Sequence, residues 1–234
     1  MFIFREAKMN EKEIIKQRIK KRLENKKIFN FLNYLKLKSI YLAGNSLNAS
    51  TPKDYDFFFK EIKDFLKVEK KLKEKATIVT ENAITITLGQ TILQFCKYFK
   101  PSLKELVESF DFAHIKLGIE LQKNNTWKVS EIYLSEDFIK ARIIGDSFYT
   151  GSDYPLASLN RLFKYYKREE ISRVMKNKAF LQILINIVRR GFKNYEDFLD
   201  QIEAVDLTIP PDDFALIPRN LFIELYNLLK REEV

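Results

Sequence analysis

Cysteine and histidine are almost absent from this 234-residue chain: each occurs once, as Cys96 and His114. A lone cysteine excludes an intramolecular disulfide and a cysteine zinc cage, and a reducing cytoplasm is the simplest setting for it. A lone histidine excludes a histidine pair as metal ligands, and its place among strand-forming residues suits a structural role. Long apolar runs are lacking too. The longest, Phe180 to Val188, falls short of the ~20 residues that cross a bilayer. Met1-Phe2-Ile3-Phe4-Arg5 becomes charged too soon for a secretory signal, so no membrane partner is expected. There is no internal repeat, and the only biased tract is the lysine enrichment of residues 60–75.

What the chain does carry is apolar bulk and positive charge. Hydrophobic residues make up 46%, enough for one large packed domain or two small ones. Lysine and arginine outnumber aspartate and glutamate by 41 to 32, a net charge of +9. That excess favours anionic partners, nucleic acid or nucleotides first, through long-range attraction and counterion release. Lysine-rich coding that serves solubility alone is the other reading of the same numbers.

Periodicity divides the chain. From Asn10 to Leu35 apolar residues return at helical steps with lysines and arginines between them, and Asn10 stands as a cap. Ser39 to Ala43 reads as a short buried strand ending at Gly44, and Asp54 to Phe59 as a second after a turn at Thr51-Pro52-Lys53. Residues 60–75 are helical again, with Ile62, Phe65, Leu66 and Leu72 on one side. Ala76–Thr80, Ala83–Leu88 and Thr91–Phe99, joined by Glu81-Asn82 and Gly89-Gln90, predict an antiparallel meander. A short helix follows from Pro101-Ser102 to Ser109, and Phe110 to Ile119 reads as strand. Beyond Ser135 the pattern is helical: Glu136–Arg142, Leu156–Arg168, Asn177–Arg190, Asn194–Ala204 and Asn220–Arg231, with a break at Ile209-Pro210-Pro211-Asp212-Asp213. The polar stretch Gly145 to Tyr154 marks the boundary, and Pro155 suits the first turn of the helix after it.

Three features carry chemistry: Gly44-Asn45-Ser46 after one strand, Asp54-Tyr55-Asp56 opening the next, and Asp111 further on. Alternate residues of a strand point the same way, so Asp54 and Asp56 present both carboxylates on one face, where they repel unless a cation lies between them. Magnesium takes hard oxygen ligands and shares its shell with water and phosphate, so two or three strand-borne carboxylates are the expected protein share. A third from a neighbouring strand, here Asp111, would complete a two-metal site with ions ~4 Å apart. Gly44 permits close backbone approach, and the amides of Gly44, Asn45 and Ser46 with the Ser46 hydroxyl can donate to phosphate oxygens.

Leu42-Ala43-Gly44-Asn45-Ser46, Asp54-Tyr55-Asp56-Phe57 and Ser109-Phe110-Asp111-Phe112 together resemble the DNA polymerase beta-like nucleotidyltransferase superfamily, over roughly residues 38 to 120. Asn45 stands where many members carry glycine. Tyr154-Pro155-Leu156-Ala157-Ser158-Leu159 resembles small phage and bacterial members. The resemblance implies an α+β fold: a nucleotidyltransferase palm over 1–145, its mixed or antiparallel sheet flanked by helices, then a helical domain over 146–234. It further implies two magnesium ions, or manganese, on Asp54, Asp56 and Asp111, and a nucleoside triphosphate such as ATP on Gly44, Asn45 and Ser46. The expected reaction is template-independent transfer of a nucleoside monophosphate to an acceptor, the 3′ end of tRNA or another RNA first.

Arg161, Lys164 and Arg168 form a basic stripe on the helix after Pro155, where arginine forks suit phosphate. Arg161 and Lys164 are therefore expected nucleotide-binding residues, against the alternative of a solvated face, and Arg142 and the run Lys16 to Lys27 are further basic candidates. Tyr41, Tyr55, Phe57, Phe58 and Phe59 belong in the sheet core. The rival readings are a catalytically inactive binding module with the same fold, and a transferase acting on a protein or small-molecule acceptor.

Overall fold

The computed structural model of the chain describes residues 12–19, 26–47, 52, 54–80, 82–193, 197 and 201. It divides into two compact units, Met1–Gly145 and Asp146–Val234.

In the first unit, helix α1 (12–19) and α2 (Lys26–Leu35) bury Ile15, Ile19, Ile28, Leu32 and Leu35, while Ile14 stays exposed. Then follow β1 (Ser39–Ala43), β2 (Asp54–Phe59), α3 (Ile62–Leu72), β3 (Ile78–Val79), β4 (Ala83–Leu88), β5 (Thr91–Phe99), α4 (Leu103–Glu108), β6 (Leu117–Lys123), β7 (Trp127–Leu134) and α5 (Glu136–Ile144). The strands make one seven-stranded sheet in the order β3-β4-β5-β2-β1-β6-β7. Every pairing is antiparallel except β2 with β5, so the sheet is mixed and the fold α+β. The parallel pair needs a long crossover, which α3 and the β3–β4 hairpin supply.

Strand alternation sorts side chains between two faces. Ile40, Leu42, Tyr55, Phe57, Phe59, Leu93, Phe95, Ile119 and Leu121 join α1, α2, α3 and α5 in the larger core. The Phe57 and Phe95 rings stack at 5.2 Å across the parallel pair. Burying each such ring contributes about 1.5–3 kcal/mol. On the opposite face Tyr41, Ala43 and Phe58 pack under Leu103, Leu106 and Val107 of α4. Gly118 makes that seat possible, since a Cβ there would lie 2.8 Å from Val107 Cγ2 and 2.9 Å from Leu103 Cδ1.

Several boundaries differ from the sequence reading. The strand expected over Phe110–Ile119 begins only at Leu117. Before it, Phe110 N donates to Val107 O, and Ile115 N to Phe112 O and Lys116 N to Ala113 O form a 3-10 turn at Ala113–Ile115. Those local bonds replace the strand ladder, and the buried Lys116 ammonium is pinned by Glu108 at 3.2 Å and Asp137 at 3.3 Å. On α3 the buried row is Phe65, Val68 and Leu72, while Ile62 and Leu66 are about half exposed, because the helix meets the sheet along a narrower stripe. The strand expected over Ala76–Thr80 shrinks to the edge pair of β3.

The second unit carries α6 (Pro155–Lys167), with Pro155 in its first turn, and α7 (Arg173–Arg190). The latter starts earlier than Asn177 because the Ser172 hydroxyl accepts from Met175 N and caps it. Phe163 and Phe180 meet edge-on at 6.4 Å between the two helices. Arg190 grips Asp197 through two hydrogen bonds of 2.7 and 2.8 Å, which hold the Asp197 carboxyl at about 2, below its usual range. The expected helices 194–204 and 220–231 and the break at 209–213 lie outside the described residues, apart from 197 and 201, which are helical. Asn10, Thr51, Lys53 and Glu81 lie outside them as well.

Candidate functional site

Strand β1 ends at Ala43, and Gly44 turns the chain with φ of 96°, in the left-handed region that side chains rarely adopt. Gly44 N donates to Leu117 O at 3.0 Å and its carbonyl accepts from Leu47 N at 3.2 Å, so Asn45–Leu47 forms a tight 3-10 turn. Within that turn Ser46 is 7% exposed, and its hydroxyl has no hydrogen-bond partner among the described residues. A buried hydroxyl without a partner is costly.

The carboxylates arrive from the next strand. Tyr55, Phe57 and Phe59 enter the larger core, which turns Asp54 and Asp56 to the other face, where Asp54 is exposed and Asp56 half-buried. Ala43 pairs with Asp56, and a Cβ on Gly44 would stand 3.8 Å from Asp56 Oδ2. The Asp56 carboxylate therefore lies against the Gly44 turn, as the sequence spacing requires.

The third carboxylate is placed differently. Asp111 is only 3% exposed and lies in the connection between α4 and β6, not on a strand. Among the described residues no group of three or more His, Cys, Asp or Glu side chains is gathered to hold a metal ion. The residues flanking Asp56 on its own face are Ala43 on β1 and Gln94 on β5, and Ile92 flanks Asp54. Asp54 and Asp56 are thus the two carboxylates that one face of β2 presents together, a donor pair that fits a divalent cation whose shell water and phosphate complete.

Sequence reasoning missed Gln94 because its neighbour in space is far away in the chain. It also missed a polar relay on the same face of the sheet. Lys60 Nζ stands 2.7 Å from Glu120 Oε1 and 5.5 Å over the Tyr41 ring, Gln122 Nε2 donates to Glu120 Oε1, and Tyr41 donates to Pro101 O. The hydrogen bond to Glu120 raises the Lys60 pKa, and burial raises that of Tyr41. His114 sits in the 3-10 turn with its ring 6.2 Å from Phe112. Arg161 and Lys164 stand half-buried one turn apart on α6, and Arg168 ends that helix; all three belong to the second unit. Arg142 is exposed in the last turn of α5, and Lys16 hydrogen-bonds Glu13 at 2.8 Å.

A mixed seven-stranded sheet flanked by helices, with a glycine turn facing a strand-borne pair of aspartates, defines an α+β protein with its polar site on one sheet face. The chain belongs to the Gabija anti-defense 2 family, which it matches over residues 11–142. No curated protein matches it. Among solved structures it is similar to the Thermotoga maritima CCA-adding enzyme complexed with tRNA, at 12% identity and a TM-score of 0.46, covering 76% of this chain and 47% of that one. It is also similar to a tRNA-processing enzyme with CTP, at 16% identity and a TM-score of 0.45, covering 88% and 57%. The chain thus spans about half the length of these structures. Among the described residues no helix is long and apolar enough to cross a membrane.

Proposed function

We propose that the chain is a metal-dependent nucleotidyltransferase of the DNA polymerase beta-like type, and that its family's anti-defense role runs through this site. The observation that carries the reading is the Asp56 carboxylate set against the Gly44 turn, on the face that also presents Asp54. The turn amides of Asn45 and Ser46 hold the β- and γ-phosphates of a nucleoside triphosphate, the Gly44 amide being taken by Leu117 O, and a phosphate oxygen gives the Ser46 hydroxyl its partner. Asp54 and Asp56 hold magnesium or manganese, whose charge offsets that of the triphosphate. In the reaction an acceptor hydroxyl oxygen bonds to the α-phosphorus, the bond from that phosphorus to the bridging oxygen breaks, and its electron pair leaves with pyrophosphate. The hydroxyl proton passes to Asp111 or to water.

The acceptor proposed is an RNA 3′ end, tRNA among the candidates, because a net charge of +9 attracts a polyanion. Arg161 and Lys164 on α6 are proposed phosphate-binding residues of the second unit. Labelled triphosphates incubated with pooled RNA and DNA ends test the reaction: the wild type extends an acceptor and Asp56→Asn does not. Equal labelling by both overturns it. A second reading is favoured by the neutral Gln94 beside Asp56: a module that binds the metal–nucleotide complex without transfer. It predicts metal-dependent triphosphate binding with no labelled product on any acceptor, whether nucleic acid, protein or small molecule.

A further inference from the structure

Strand β2 has two neighbours in the sheet, β1 and β5. A side chain that shares a cation with Asp56 from an adjacent strand must therefore come from Ala43 or from Gln94, the residues in register with it on the same face. Strands lie about 4.8 Å apart, so a carboxylate at either place would stand within reach of a second ion ~4 Å from the first. Ala43 offers no ligand. Gln94 offers a neutral amide, whose oxygen suits magnesium in hardness and contributes no charge against it.

We propose that Gln94 occupies the third-ligand position and limits the site to one divalent cation per bound nucleotide. This inference rests on the metal–triphosphate reading above. The position is not a product of loose packing: Leu93 and Phe95 on either side are fully buried in the larger core, which fixes Gln94 on the opposite face. The nearby Ser46 hydroxyl, buried and without a partner among the described residues, is a second observation that suits a phosphate at this end of the sheet. A glutamate at position 94 restores the third charge and, with it, the second cation.

Bound manganese is counted by electron paramagnetic resonance on the full chain, with the non-transferable α,β-methylene analogue of ATP at saturation. The wild type and Gln94→Leu are expected to hold one ion per chain, Gln94→Glu two, and Asp56→Asn none beyond the free nucleotide complex. Gln94→Asp, with a smaller carboxylate, serves the same purpose if thermal melting shows that the glutamate disturbs the strand. Two ions in the wild type overturn the inference while leaving metal-dependent nucleotide binding intact, and one ion in both carboxylate variants does the same. Absence of any metal-dependent nucleotide binding by the wild type is a different result, which removes the proposed function and this inference with it.

Discussion

Replacing Asp54 by asparagine separates a ligand carboxylate from a structural one. Asp54 and Asp56 are alternate residues of β2 on one face, so their Cα atoms lie about 6.6 Å apart. Two unit charges at about 7 Å repel by about 0.6 kcal/mol in water and by about 1 kcal/mol at a dielectric midway toward a protein surface. Asparagine removes that repulsion while leaving the half-buried Asp56 untouched. In EDTA at low salt, Asp54→Asn is therefore expected to be about 0.5–1 kcal/mol more stable than the wild type, a rise of about 1–4 °C in Tm. The gain should fade toward 1 M salt as screening shortens to about 3 Å. Magnesium and a triphosphate at a hundred times Kd stabilise the wild type by about 2.7 kcal/mol and the variant by far less, so the order of the two melting curves reverses. Scanning calorimetry in both buffers reads the crossing. A variant that is already less stable in EDTA, or one that gains as much from nucleotide as the wild type, refutes the idea that these carboxylates are held together for a cation.

Gly44→Ala forces a side chain into φ of 96°, where the strain is about 1–3 kcal/mol, although the new methyl meets Asp56 Oδ2 at an ordinary 3.8 Å. The turn should move, and nucleotide affinity measured by calorimetry should fall at least tenfold; unchanged affinity would show that the turn does not hold phosphate. Gly118→Ala drives a methyl to 2.8 Å from Val107 Cγ2 and 2.9 Å from Leu103 Cδ1, both on buried residues, and should lower stability in urea by about 1–3 kcal/mol, with partial rescue by Val107→Ala. Tyr133 donates to Glu108 Oε1 at 2.7 Å, and burial together with that bond raises its pKa from 10.0 to about 12. The folded value exceeds the unfolded one, so its contribution is complete below pH 10 and lost as pH climbs from 10 toward 12. Glu108→Gln should weaken that alkaline loss, read by absorbance titration of tyrosinate.

The elements that sequence periodicity located correctly are those fixed by local chemistry. β1, β2, β4 and β5 stand where alternation and turn residues put them, and the pairing of Leu88 with Thr91 shows that Gly89-Gln90 closes the hairpin. Asp54 and Asp56 share a face because Tyr55, Phe57 and Phe59 are too apolar to do otherwise. Phe110 to Lys116 misled because aromatic and β-branched composition describes a buried surface as readily as a strand. Here the segment is held by a 3-10 turn and by the Lys116 ion pairs with Glu108 and Asp137.

The neighbour of Asp56 on β5 was illegible for a different reason, and the reason bears on how such a site is specified. β2 takes its parallel partner from beyond α3 and the β3–β4 hairpin, so the residue next to Asp56 is settled by a pairing that no local pattern encodes. Along the chain Gln94 is an ordinary strand residue, and Asp111 is the next aspartate, on a Phe-Asp-Phe pattern. Yet the register that places Gln94 is strongly held. Sliding β5 by one residue would turn Leu93 and Phe95, both 0% exposed, out of the core and bring one of them beside Asp56. At about 1.5–3 kcal/mol for each large apolar side chain lost from the interior, that slip costs more than any gain from a rearranged polar face. The apolar core therefore decides which polar side chain meets the carboxylates, and substitution at position 94 changes the charge of the site without changing the geometry that presents it.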